Sequence, residues 1–164
     1  MIGLSFLYWC GVASLVGGAL AEGGATPPKE VTKVVDAAQE AREEKLVKAL
    51  AQVRFVGRWC LVREGKLGED KPEEYEIVGI VKGGGERWTI NAKIAYGGLQ
   101  IVAPVPVEIK WAGDTPVIVV DKFSLPGAGT YSARVMLFEN TYSGTWTAGD
   151  HGGMLHGVIL PAGK

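Results

Sequence analysis

The chain has 164 residues, a formal net charge of −1, 47% hydrophobic residues and 21% charged residues. That length and balance fit one globular domain with a sizeable core, and the near-zero charge supplies no basic field to attract nucleic acid, which is excluded as a partner. Glycine is the outlier at 24 residues; without a collagen period it suits many tight turns between short strands.

The first 21 residues, "MIGLSFLYWCGVASLVGGALA", carry no charged side chain. Ala19 and Ala21 match the small-residue pattern that precedes a cleavage point, here between Ala21 and Glu22. Residues 1–21 therefore read as a secretory signal peptide, although only the amino terminus supplies positive charge ahead of the apolar run. The alternative is an uncleaved membrane anchor, since about 20 residues span a bilayer core. Cys10 leaves with the leader. Cys60 is then a lone cysteine inside the apolar run "FVGRWCLV", where it reads as a small buried hydrophobe.

Residues 22–28, "EGGATPP", form a linker that ends on two prolines. From Lys29 to Val53 the period becomes helical. Val31, Val34, Val35, Ala38, Leu46, Ala49, Leu50 and Val53 fall mostly three or four apart, with charges between them. The spacing predicts one amphipathic helix over 29–53, its apolar stripe weakened by Arg42 and Lys45. Such a helix packs on the domain, or serves as a spacer or docking element.

After Phe55 the period changes to two. Trp88, Ile90, Ala92, Ile94 and Tyr96 alternate with Arg87, Thr89, Asn91 and Lys93, as in a strand with one buried face. "LQIVAPVPVEIKW" alternates as well. Further strands read at 55–63, 75–82, 115–121, 130–139, 141–147 and 154–160, separated by turn chemistry such as "KGGGE" and "AGDHGG". The expectation for 54–164 is a mainly β domain: an antiparallel β-barrel-like or sandwich fold of about eight strands. Pro104 and Pro106 are two apart, so both missing N–H groups face the same neighbouring strand. That places an edge or a bulge there and favours a split barrel or sandwich over full closure.

Little in the chain announces chemistry. "GGG" at 83–85 lies between strands, with no helix to present N–H groups to a phosphate. There is no G-x-S-x-G elbow, and no cofactor motif is legible. Glu73 and Glu74 follow Pro72 and read as solvated loop charges. Asp150, His151 and His156 are the candidates for a metal or hydrolytic site, but their spacing matches no metal motif. "AGDHGG" reads instead as a connection of about six residues, with His151 at its tip and His156 in the last strand. The aromatic residues Trp59, Trp88, Tyr96 and Trp146 either fill the interior or line a pocket for an apolar ligand.

Gly57-x-Trp59, opening the first strand after a helix, resembles the G-x-W opening of lipocalins and other calycins. That resemblance implies a barrel with Trp59 packed at its closed end. "GTWTAGDHGGMLHGVI" together with "GDTPVIVVD" is similar to a family of small, functionally uncharacterised exported bacterial proteins with a glycine-rich β domain. This second resemblance implies export and a β fold.

The expectation is an exported, non-enzymatic β-barrel-like binding domain, secreted or periplasmic in a bacterial cell envelope. Its partner is a small apolar ligand. The alternatives are an envelope interaction module that uses the helix, and a metal or hydrolytic site at Asp150, His151 and His156. Membrane contact is expected only if residues 1–21 are retained. Mass spectrometry of the mature protein is expected to find a chain that begins at Glu22; a chain still beginning at Met1 refutes cleavage.

Overall fold

A computed structural model describes residues 29–96, 99–125 and 129–163; the expected signal peptide and linker lie outside them. One helix, α1 (Lys29–Ala49), precedes the strands β1 (Val53–Arg63), β2 (Lys66–Leu67), β3 (Lys71–Gly84), β4 (Arg87–Tyr96), β5 (Leu99–Ala112), β6 (Thr115–Leu125), β7 (Gly129–Phe138), β8 (Thr141–Ala148) and β9 (His151–Pro161). The long strands form an antiparallel meander, and β9 pairs back onto β1 from Val53–Pro161 to Leu61–Gly153. The domain is thus mainly β, and of the two expected forms it is the closed eight-stranded barrel. Strand β2 is an appendage that folds back on Val62 and Arg63 of β1 through a turn at Glu64 and Gly65, both at positive φ.

Alternation decides which side chains enter the barrel. Val53, Phe55, Ile77, Trp88, Ile90, Val107, Ile109, Ile118, Leu137, Tyr142 and Leu155 point inward and are buried in one cluster. The intervening residues point outward, where charges pair: Arg54 with Glu74 and Lys93 with Glu76 across neighbouring strands, and Lys110 with Glu86 of the β3–β4 turn and Glu108 of its own strand.

The helix stops at Ala49, short of the expected Val53. Leu50 still donates its N–H to the Leu46 carbonyl, but Gln52 turns at φ 56° and Val53 is already in β1. The C-terminal half of α1 covers one end of the barrel. Leu46 and Leu50 enter the core cluster, at 3% and 1% exposure. Arg42, the apparent weakness of the stripe, belongs to the packed face. Its guanidinium lies 5.4 Å from the Trp111 ring centre and donates to the Gly113 carbonyl at 2.9 Å. Glu43 is buried and paired with Lys82. Burial raises the Glu43 carboxyl pKa, but hydrogen bonds from Lys82 and Gln39 and the charges of Lys82 and Arg42 outweigh this and hold it below its ordinary value.

The two prolines leave a local mark on a barrel that nevertheless closes. The β4–β5 ladder runs the whole way from Arg87–Glu108 to Tyr96–Leu99, whereas the β5–β6 ladder covers only Glu108–Val119 to Ala112–Thr115. Ile109 donates its N–H on the β4 side, to Glu86. Even-numbered residues of β5 therefore aim at β6, and Pro104 and Pro106 have no N–H to give. The ladder ends where they begin. Beyond that point β6 bulges between Val120 and Phe123, with Lys122 at φ 48°, and Arg134 donates to the Val120 carbonyl at 2.8 Å.

Leu50→Ala is expected to destabilise the fold by about 2–5 kcal/mol in urea titrations, because it opens a cavity under the helix. Val47→Ala, on the exposed face of the same helix, is expected to stay within about 0.5 kcal/mol.

Candidate functional site

The interior divides into two halves. At the end covered by α1, most inward-facing side chains are buried, with Trp111 and Ile159 partly so. Toward the other end, inward-facing residues remain partly exposed: Trp59, Val105, Val120, Phe123, Tyr131, Ala133 and Trp146 are half-buried, and Tyr75 is 39% exposed. Tyr75 pairs with Phe55, a core residue, so its ring starts from the inner face. An inward side chain that water reaches can also be reached by another molecule. This half is the candidate site.

Its floor is a carboxylate held by two phenols. Tyr142, on β8, is 2% exposed and stacks on Phe55 with ring centres 4.8 Å apart. It reaches across β9 and β1 and donates its hydroxyl to Glu73 Oε1 on β3 at 2.9 Å. Tyr75 donates to Glu73 Oε2 at 2.9 Å. The two strands that Tyr142 crosses carry glycine at the crossing. A Cβ on Gly57 would lie 2.4 Å from the Tyr142 hydroxyl oxygen, and one on Gly157 would lie 2.7 Å from its Cε1. No larger residue leaves room for the ring, which gives these two glycines a packing role rather than a turn role.

Burial, then the adjoining Glu73 charge and the hydrogen bond to it, push both phenols well above their ordinary pKa. Tyr131 on β7 is close enough to raise Tyr75 further. Both hydroxyls therefore stay protonated as donors through the physiological range. Among the described residues, no lysine, arginine or histidine is ion-paired with Glu73.

Above the floor stand the aromatic residues of the rim. Trp59 and Trp146 meet edge to face, with centres 5.5 Å apart, and His151 meets Trp146 in the same manner at 5.7 Å. The Lys71 ammonium lies 5.2 Å from the centre of the Trp59 ring.

The sequence candidates separate accordingly. Trp59 and Trp146 come together at the open half. Trp88 sits in the covered half at 3% exposure, beside a crevice of ≈ 330 Å³ shared with Glu43, Lys82 and Trp111. Tyr96 ends β4 opposite Leu99, and its side chain lies outside the described residues. The G-x-W resemblance implies Trp59 at the closed end; the ring stands instead six residues past Val53, toward the end away from the helix. Cys60 is buried and free.

The expected six-residue connection at 148–153 is a two-residue turn, Gly149–Asp150, because Gly149 adopts φ 59° and Ala148 pairs directly with His151. His151 thus opens β9, on its inner face. His156, five residues on, has the opposite parity and points outward between Met154 and Val158, opposite Ser143 and Arg58. The two imidazoles lie on opposite faces of the wall. Asp150 accepts a hydrogen bond from His151 Nδ1 at 3.1 Å, which lowers its pKa. No cluster of three or more His, Cys, Asp or Glu side chains suited to a metal occurs among the described residues.

The residue that sequence reasoning missed is Glu73. It is not a loop charge, because β3 begins at Lys71. Glu74 faces out to Arg54 and Glu73 faces in. The available signal was the alternation Glu73–Tyr75–Ile77, which continues the inner face of the strand past its proline.

Comparison with protein-family models, curated proteins and solved structures returned no match.

Both tyrosine pKa values are raised in the folded state, so their stabilising contribution is complete below the unfolded value of about 10 and is lost as pH rises past it. Ultraviolet titration is expected to show two tyrosines that ionise only together with alkaline unfolding. Glu73→Gln removes the adjacent charge and is expected to shift that ionisation to lower pH; an unchanged profile in this variant contradicts the network.

Proposed function

We propose that this protein is an exported, non-enzymatic binding barrel that takes a small ligand with an apolar body into the open half of its interior. The observation that carries this reading is the exposure of Tyr75, Trp59 and Trp146 on the inner face, where alternation alone would have buried them. Aromatic rings offer a large contact area at a low cost in conformational entropy, and ligand sites are typically apolar clefts with a few fixed polar groups. The mouth of a small barrel is a common place for one.

The outer wall supports an aqueous setting for the domain. A membrane barrel presents an apolar band outward and polar groups inward. Here the core cluster is inside, and Arg54, Arg58, Glu74, Glu76, Lys93, Glu108 and Lys110 occupy the outside of β1, β3, β4 and β5, while β7 and β9 expose Met136, Phe138, Met154, Val158 and Leu160. A water-facing barrel with a signal peptide fits secretion or a periplasmic location. The site offers no nucleophile–base pair among its described groups, which favours binding over catalysis.

The neutral dye N-phenyl-1-naphthylamine is a suitable probe. Its fluorescence is expected to rise on binding, with quenching of protein tryptophan emission. Trp59→Ala and Trp146→Ala are each expected to weaken binding by about tenfold, the scale of one lost aromatic contact. Phe138→Ala, on the outer wall at 57% exposure, is expected to leave it unchanged. Equal binding by all three variants refutes the site.

A further inference from the structure

We propose that the ligand of this barrel is an organic cation, an ammonium with an apolar body, whose charge is received by Glu73 and the ring face of Trp59. The proposal deepens the binding reading above and rests on it.

Three observations point to a cation. The first is the state of Glu73. The half-buried carboxylates elsewhere in the barrel are neutralised: Glu43 by Lys82, and Glu76 by Lys93. Glu73 faces the interior and holds two phenolic hydrogen bonds, but among the described residues no cation pairs with it. Phenols orient a carboxylate without supplying a positive charge to pair with it. A carboxylate has room for more than two donors, so Glu73 can still accept from a ligand.

The second is the make-up of the walls. Trp59 and Trp146 meet on the inner face, Tyr75 holds the carboxylate itself, and Tyr131 is near Tyr75. Rings present negative faces, and a cation within about 6 Å of a ring centre is attracted to them. A carboxylate beneath aromatic rings is a poor place for an anion and a good one for an ammonium group.

The third is an occupant already present. The Lys71 ammonium rests over the Trp59 ring, 5.2 Å from its centre, and Lys71 is paired with Trp59 across the β1–β3 ladder. The protein's own side chain therefore shows that this ring face accepts an ammonium. Lys71 is exposed and is not ion-paired with any acid among the described residues. It is held there by the ring and by the field of Glu73, two residues along the same face. A ligand cation displaces it to solvent at little cost, because an exposed lysine recovers full hydration.

The charges on this face among the described residues are Glu73, Lys71 and, at the rim, His151 with its partner Asp150 and the nearby Arg63. They assign the opposite outcome clearly. If Lys71 and His151 dominate, the site selects anions.

Competition against the bound naphthylamine dye decides it, using three probes with one tail: octylammonium, octanol and octanoate. Octylammonium is expected to displace the dye at a concentration at least about tenfold below that of octanoate, with octanol between them. Added salt is expected to narrow the gap. Glu73→Gln keeps an oxygen acceptor for the tyrosines and is expected to abolish the preference while leaving octanol unchanged. Lys71→Met removes the internal ammonium without touching the tyrosine network. It is expected to strengthen octylammonium binding, and it serves as the test should Glu73→Gln fold poorly. Octanoate that competes as well as octylammonium, or a preference that survives in Glu73→Gln, overturns the cation and leaves the binding reading standing on octanol. Failure of all three probes to displace the dye overturns both.

Discussion

Closing a barrel requires its first strand to pair with its last, remote in sequence, and here that strand is β1. It accepts β9 along one edge and β3 along the other. Strand ladders alone make such a seam directional but not tight. Tyr142 tightens it. Its ring lies on Phe55, passes over Gly157 and Gly57, and hydrogen-bonds Glu73, so one side chain ties β8, β9, β1 and β3 at a single level. Two glycines are needed because the ring must lie flat against the wall. Below this level the barrel is packed with aliphatic and aromatic side chains and covered by Leu46 and Leu50. Above it, Trp59, Trp146 and Tyr75 remain partly exposed, while Leu155 and Ala148 are buried. The tyrosine bridge is therefore both the clasp of the seam and the floor of the open half.

The opposite side of the barrel is held more loosely. The β5–β6 ladder is complete only next to the helix, and the prolines withdraw two donors from the open half. Unpaired strand edges attract other chains, and natural proteins blunt them with proline, bulges and charge. All three are present: Pro104 and Pro106 on β5, the bulge after Val120 on β6, and Arg134 on the freed Val120 carbonyl. Fewer ladder bonds imply a lower local opening free energy there than at the seam. The barrel thus has a tightly held wall at β8–β9–β1–β3 and a more yielding one at β5–β6.

Much of this architecture was legible in the chain, for definite reasons. Strict alternation in Trp88–Tyr96 and Leu99–Trp111 fixed both their state and their inner faces, because a strand has no third option. The missing donors of Pro104 and Pro106 were correctly aimed at one neighbour. Their effect on closure was overestimated, because five residue pairs nearer the helix suffice to join β5 to β6. Arg42 was misjudged for a different reason: periodicity treats a charge as a break in an apolar stripe, whereas a guanidinium can lie on Trp111 and still reach a carbonyl. Glu73 was missed because Pro72 and a second glutamate imitate a loop. Partners at sequence separations of 69 and 2 give it its meaning, and the longer of those is invisible without the register.

That omission bears on function. Local rules place apolar residues inside a barrel, and a carboxylate there costs several kcal/mol unless it is compensated. An inner amide could accept from one tyrosine with its oxygen, donate to the other phenol oxygen with its NH2, and close the seam without charge. A glutamate brings a field that the bridge does not require and that raises the pKa of both phenols. Departures from local consistency that structural needs do not account for concentrate at functional sites. The charge on Glu73, rather than its hydrogen bonds, is the part of the floor that asks for a ligand. The ammonium of Lys71 on the adjacent ring is the nearest thing to one that the chain itself supplies.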